Sequence, residues 1–158
     1  STSGPVPKAA GWRRAGRISP GGRRMMPLIE ITEEEISIDQ LMRRARRPEA
    51  GAIVSFTGTV RDDGIEQMVV EAFPEAAKAE MQAIVDEATG RFSLLSAGVV
   101  HRTGSLAVGE SIVAIVCTAA HRAEAFDGCR YIIDELKKRA SIWKKEIGEN
   151  VERWVGQG

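Results

Sequence analysis

The chain has 158 residues, 43% of them hydrophobic, which is enough for one domain with a full core. No apolar run approaches the length of a membrane span, and no signal peptide is visible, so we expect a cytoplasmic protein without a membrane partner. Cys117 and Cys129 fit a reducing compartment better than a disulfide scaffold. We expect both cysteines to be small core residues.

The formal net charge of zero conceals an uneven distribution. Six of the 22 Lys and Arg residues lie within 1–24, whereas all 22 Asp and Glu residues lie after that segment. The body of the chain is therefore acidic, and a basic cluster within it is a local feature rather than a general bias.

Residues 1–24 are rich in Gly, Pro, Ser and Arg and lack apolar periodicity. This composition is typical of a disordered tail. The tail is open to two interpretations: an arm that binds nucleic acid, or an extension or leader upstream of a start at Met25 or Met26. Residues 25–158 are predicted to form a single domain.

The first predicted elements are an edge strand and turn in "PLIEITEEEIS" and a short helix in "SIDQLMRRARRP". Ser37, with Gln40 three residues on, forms a capping-box pattern. The arginines from 43 to 47 lie near the end of this helix, where the dipole favours cations, and Pro48 follows as a stop. The basic run therefore has a structural explanation, and we do not expect it to bind nucleic acid.

The middle of the chain predicts two strands, 50–61 and 66–73, joined as a hairpin by the turn residues "DDG". Pro74 is suited to the first position of a helix. The helix that follows carries apolar residues at helical spacing: Ala77, Met81, Ile84, Val85 and Ala88. Two further strands, with turns at "RTG" and "VGE", are predicted between residues 96 and 120.

A long last helix is predicted over about 122–147. Apolar residues recur there at alternating steps of three and four, which indicates a buried stripe: Phe126, Cys129, Ile133, Leu136, Ala140, Trp143 and Ile147. Strands and helices do not alternate strictly, so the predicted class is α+β.

Basic residues cluster around this helix. Arg130, Lys137 and Lys144 are seven apart and would form one stripe beside the apolar seam on a continuous helix. His121 and Arg122 lie at its start, where the macrodipole disfavours cations unless a negative ligand is bound. Together with Arg61, which ends the predicted strand 50–61, these groups suggest a site for anions. The alternative is a solvated basic face with snorkelling lysines.

Several familiar catalytic motifs are absent from the sequence. It has no Gly-rich phosphate loop, no GxGxxG, no Cys-x-x-Cys and no Gly-x-Ser-x-Gly elbow. The two histidines, His101 and His121, do not form a metal-ligand spacing with nearby carboxylates. We therefore expect no metal-dependent catalysis.

Five segments together resemble the large, catalytic subunit of molybdopterin synthase, over about residues 50 to 155. They are "GAIVSFTGTVRDD", "VEAFPEAAKAEMQAIVDEA", "VVHRTGSLAVGE", "TAAHRAEAF" and "YIIDELKKRASIWKKE" followed by "RWV". Each piece alone is weakly specific, whereas the combination is specific.

The resemblance implies a fold of the α/β hammerhead type, with antiparallel strands and a long C-terminal helix. It also implies an enzyme that converts precursor Z, a cyclic pyranopterin monophosphate, into molybdopterin. The sulfur would come from a Gly-Gly thiocarboxylate on a small ubiquitin-like subunit. The implied assembly is a heterotetramer around a homodimer of large subunits, and the sulfur transfer would need no cofactor or metal.

The resemblance also assigns roles to individual residues. Lys137 and Lys144 match the family's two catalytic pocket lysines, and Lys137 would be the more critical. Four other residues match the substrate pocket: Arg61, His121, Arg122 and Phe56. Substrate, sulfur donor and product are anionic, so electrostatic stabilisation and positioning should dominate.

The sequence departs from the family pattern after Arg61, where the loop "DDGIEQ" is shorter than expected and carries two acids, Asp62 and Asp63, where the family often has Asn and His. Either this loop does not touch substrate or the mouth of the pocket differs. Two rival hypotheses are a non-catalytic module that binds a pterin or a ubiquitin-like tail, and a protein that binds RNA or nucleotides. The second lacks aromatic stacking platforms.

Overall fold

The computed structural model describes residues 28–149 and 151–155. These residues form eight strands and three helices. In chain order they are β1 Ile29–Thr32, α1 Ile38–Ala45, β2 Ala52–Thr59, β3 Gln67–Ala72, α2 Pro74–Phe92, β4 Ser96–Arg102, β5 Gly104–Ala107, β6 Ser111–Ala119, α3 Arg122–Arg139, β7 Ile142–Gly148 and β8 Val151–Val155.

The strands form two four-stranded sheets. The first sheet has the order β1-β4-β6-β2, in which only the β1–β4 pair is parallel. The second sheet has the order β5-β3-β7-β8 and is antiparallel throughout. Helices and mainly antiparallel strands therefore occur together without a βαβ pattern, which confirms the predicted α+β class.

The first two helices begin where the sequence predicts. Ser37 caps α1, because its side chain accepts a hydrogen bond of 3.3 Å from the backbone N–H of Gln40. Pro74 is the first residue of α2, and this helix ends at Ser93 in the left-handed conformation, with φ of 53°. The five apolar residues predicted for the buried face of α2 are all buried.

The core lies on both faces of the first sheet, and β6 shows how the residues divide. Its odd-numbered residues, such as Ile115 and Cys117, belong to the main core with α2 and α3. Ala114 and Val116 pack with Leu41 of α1 on the other face. Cys117 and Cys129 are both buried, as predicted; contact with Cys129 and burial raise the pKa of the Cys117 thiol.

The prediction of one helix over 122–147 is wrong, because α3 ends at Arg139 and residues 142–148 form β7. Ile142 is buried, whereas Trp143 is exposed, so the period changes from helical to strand-like within two residues. Pairing with β3 decides the structure of this segment. Phe126, predicted for the buried stripe, is 60% exposed.

The predicted hairpin of strands 50–61 and 66–73 is also wrong. Strand β2 pairs with β6 in the first sheet, whereas β3 pairs with β5 and β7 in the second. The segment from 96 to 120 contains three strands rather than two, because the turn at Gly104, with φ of 95°, starts the short strand β5. Strands β2 and β3 therefore lie where expected, but their partners lie far away in the sequence.

The tail predicted for residues 1–24 lies outside the described residues. Within the described part of the chain, no helix is both long enough and apolar enough to cross a membrane.

Candidate active site

Lys137 and Lys144 flank the turn between α3 and β7. Lys137 lies exposed in the last turn of α3, and Lys144 is half-buried in β7. Lys144 pairs with the buried Val70 of β3, and paired residues of antiparallel strands share one face of the sheet. Burial, and next the charge of Lys137, lower the pKa of the Lys144 ammonium. The two lysines therefore form an interacting pair, although they are not on one helix as predicted.

His101, near the end of β4, belongs to the same cluster. It is 5% exposed, and its Nδ1 lies 2.9 Å from the carbonyl oxygen of Arg102, to which it donates a proton in the neutral ring. Burial lowers the pKa of His101 to about 4; the hydrogen bond opposes this shift, and the charge of Lys144 adds to it. A neutral imidazole therefore lies close to the lysine pair.

From the sequence, His101 was considered only as a metal ligand and was not predicted to belong to the site. Its position two residues after Val99 in an apolar strand is the signal that predicts an inward-facing side chain. Its closeness to Lys144 depends on how the first sheet, which contains His101, lies against the second sheet, which contains Lys144. No local sequence signal predicts that arrangement.

Phe56 and Arg61 lie along β2 and just beyond its end. Phe56 is 36% exposed and is opposite the buried Ile115. Its ring borders Gly58, where an added Cβ would be 3.5 Å from Phe56 Cε1. Arg61 follows the buried Val60, and its Nε lies 2.9 Å from Asp63 Oδ2.

The path of α3 places Lys137 at the same end of the first sheet as Arg61. The helix begins three residues after β6 ends at Ala119, and it packs against β6 and β2. It must therefore run back along these strands towards the end of β6 that begins at Ser111. Thr59 of β2 pairs with Ser111, so the segment leading to Arg61 starts at this end.

His121 and Arg122 lie at the opposite end of α3. His121 is the N-cap, its side chain makes no capping hydrogen bond, and both residues are exposed. Fifteen residues at 1.5 Å each separate the Cα atoms of Arg122 and Lys137 by roughly 22 Å along the helix axis. Within one chain, the structure therefore brings Lys137, Lys144 and the end of β2 together, but not His121 and Arg122.

The N-terminal end of α3 nevertheless has the properties of an anion site. The first backbone N–H groups of a helix point outward and carry partial positive charge. His121 and Arg122 add two donors beside them, and an arginine fork suits phosphate or carboxylate. Within residues 28–149 and 151–155, no group of three or more His, Cys, Asp or Glu side chains is placed to hold a metal ion.

Comparison with known proteins identifies the family to which this fold belongs. The family model described as MoaE protein matches residues 31–139. A relative from Thermoplasma volcanium, named molybdopterin synthase catalytic subunit, is 44% identical over 126 residues, which is 77% of this chain and 92% of the relative.

Solved structures agree with these relatives. The crystal structure of molybdopterin synthase from Staphylococcus aureus matches with a TM-score of 0.80 and 32% identity, over 84% of this chain and 99% of that one. A complex of subunits 1 and 2 of molybdopterin-converting factor from Helicobacter pylori matches with a TM-score of 0.69, over 81% of this chain and 90% of that one. At 20% identity, the second match supports the fold alone.

The α+β fold is that of a biosynthetic enzyme subunit. The chain belongs to the MoaE family, whose relatives carry the name molybdopterin synthase catalytic subunit. The resemblance seen in the sequence is thereby confirmed.

Proposed function

We propose that this chain converts precursor Z into molybdopterin, with sulfur taken from the C-terminal Gly-Gly thiocarboxylate of a small ubiquitin-like subunit. The observation that carries the proposal is the half-buried Lys144 beside Lys137, in a chain of the MoaE family. Both the sulfur donor and the phosphate-bearing substrate are anions, and a paired cationic site suits them.

The two lysines differ in surroundings and therefore in role. Lys137 is exposed and accessible to an incoming thiocarboxylate, whose charge it neutralises. Because Lys144 is half-buried, its charge lies in a medium of lower dielectric, where its attraction for an anion is stronger than at the surface. Its lowered pKa makes the neutral amine, and with it a proton transfer, more accessible near neutral pH.

The remaining cations are supplied by a second copy of the chain. His121 and Arg122 are too far from Lys137 along α3 for all three to contact one small substrate in a single chain. In a two-fold symmetric dimer, the start of α3 in one copy can face the end of α3 in the other. We therefore infer a homodimer in which each site takes its lysines from one copy and His121 and Arg122 from its partner.

The test is the activity of Lys137 variants in a mixture with thiocarboxylated small subunit and precursor Z. Lys137→Ala should lower the rate of molybdopterin formation by about 10²–10³-fold, as expected for loss of one preorganised charge. Lys137→Arg keeps the charge but not the shape of the side chain, and it should also be strongly impaired. Lys138→Ala is the matched control, because Lys138 is adjacent and exposed but pairs with Glu135 at 3.5 Å.

Each possible outcome has a clear meaning if binding of the small subunit is measured in parallel. Loss of product in the Lys137 variants, with binding and Lys138→Ala activity kept, supports a catalytic site at Lys137. Near-normal turnover in Lys137→Arg would show that only charge matters there. A wild-type chain that binds the small subunit but forms no product would instead be a non-catalytic binding module.

A further inference from the structure

The loop between β2 and β3, residues 60–66, holds a short turn in a fixed position. At one end the Val60 N–H donates to the Glu110 carbonyl at 2.9 Å, and at the other the Glu66 N–H donates to the Ile147 carbonyl at 2.8 Å. Between them, the Gly64 N–H donates to Asp62 Oδ1 at 3.2 Å, and Gly64 has φ of 80°. Main-chain bonds to two other segments thus fix this loop.

Within this turn, Asp63 is bonded to Arg61. The Arg61 Nε donates to Asp63 Oδ2 at 2.9 Å, and the Asp63 N–H donates to the Arg61 carbonyl at 3.1 Å. Their side chains are 83% and 44% exposed, so the pair faces solvent. The bond to Asp63 occupies the Nε edge of the Arg61 guanidinium. A bidentate anion binds to the same kind of edge, so it competes with Asp63 for this donor.

The charge of the loop is opposite to what an anion site needs. Arg61 is its single cation, whereas Asp62, Asp63 and Glu66 are acidic. An anion that approaches Arg61 therefore meets a carboxylate that already occupies part of the guanidinium. The other acid of the turn, Asp62, bonds to the backbone of Gly64 instead.

We propose that Asp63 sets the affinity of the site for anions by acting as an internal counter-anion for Arg61, which an incoming anion must displace. This inference rests on the proposed role of Arg61 in binding the substrate's anionic group. A small free anion has few other contacts with which to compensate for that displacement. A substrate that also contacts the lysine pair has more, so it can bind at Arg61 although it meets the same cost.

The test measures binding of inorganic phosphate to the full chain by titration of the Arg61 Nε–H signal in NMR spectra. Asp63→Asn should lower the phosphate Kd by roughly two- to fivefold at low ionic strength, as expected for loss of one exposed ion pair. This gain should shrink as salt is added, because exposed charges are screened. Asp62→Asn is the matched control, with the same change in charge and an amide oxygen that can still accept from Gly64.

Turnover with thiocarboxylated small subunit and precursor Z gives a second readout. Asp63→Asn should lower KM with kcat unchanged, and in an Arg61→Ala background it should have no effect, as a double-mutant cycle requires of a direct pair. Equal phosphate affinities of wild type and Asp63→Asn would overturn the inference, and so would an equal gain in Asp62→Asn. Absence of product from the wild type would overturn the proposed function instead, while the phosphate titration still decides the role of Asp63.

Discussion

Burial of His101 predicts that the folded chain loses stability as the solution is acidified. The pKa of this imidazole is lowered from 6.5 to about 4, first by burial and then by the Lys144 charge. In the unfolded chain the ring takes up a proton near pH 6.5, whereas in the folded chain it remains neutral until about pH 4. The unfolded state thus binds more protons in this window, so the free energy of unfolding falls as the pH falls.

The magnitude follows from the separation of the two pKa values. A separation of one pKa unit corresponds to about 1.36 kcal/mol, so the loss grows from almost nothing at pH 7 to about 2 kcal/mol at pH 5. It reaches about 3 kcal/mol at pH 4, where carboxylates also begin to titrate. The interval from pH 7 to pH 5 is therefore the cleanest in which to measure it.

The assay is urea unfolding at several pH values for wild type, His101→Asn and His121→Asn. An asparagine at 101 keeps a donor for the Arg102 carbonyl but cannot take up a proton, so about 2 kcal/mol of the pH dependence should disappear. His121→Asn makes the same substitution at an exposed position, the N-cap of α3, and is the matched control. Equal slopes in wild type and His101→Asn would refute the argument that a buried neutral imidazole lies beside Lys144.

Two further predictions concern the α2–α3 interface. The hydrogen bonds from Arg139 and then Tyr131 lower the pKa of the Glu87 carboxyl to about 2. Its contribution to the free energy of unfolding is therefore present above pH 4.5 and is lost as the pH falls towards 2. Glu87→Gln should flatten this part of an acid titration followed by circular dichroism, and an unchanged curve would contradict it. Gly128→Ala should destabilise the fold by about 1–2 kcal/mol, because a Cβ there would lie 2.8 Å from both Leu94 Cδ atoms. Gly90→Ala should stabilise α2 by about 0.5–1 kcal/mol, because an added Cβ there would have no atom within 4 Å. If denaturant unfolding showed that the two glycine variants change the free energy of unfolding in the same direction, this packing argument would be excluded.

Local sequence signals were sufficient for the elements whose structure is locally determined. The spacing of apolar residues predicted α2, Ser37 predicted the start of α1, and the basic pair His121 and Arg122 was correctly expected at the start of the last helix. In each case the caps and the hydrophobic face lie within a few residues of one another.

The end of the last helix could not be predicted in this way. Leu136, Ala140, Trp143 and Ile147 continue the spacing of the helix, yet Trp143 and Ile147 belong to a strand. The decisive interaction is the register of β7 against β3, which lies about 70 residues earlier in the chain. Lys144 therefore approaches Lys137 from a different element, β7 rather than α3. The pairing of β7 with β3 also determines how far Lys144 is buried.

The division of the site was likewise invisible to residue matching. The motifs that contain Lys137, His121 and Arg122 are close in the sequence, but the helix between them keeps their side chains at its two ends. Only the length of α3 in the folded chain shows that one chain cannot bring these groups to the same substrate.

Complementation between inactive variants tests this central claim most directly. Lys137→Ala and Arg122→Ala would be co-expressed with different tags, isolated as mixed and as unmixed assemblies, and assayed with thiocarboxylated small subunit and precursor Z. If each site combines Lys137 of one copy with Arg122 of the other, a mixed dimer contains one intact site and one doubly defective site. A random mixture should then recover about a quarter of the wild-type activity, from variants that are each nearly inactive alone. Recovery in the mixed dimers is the result that the account predicts, and mixed dimers as inactive as the single variants would contradict it.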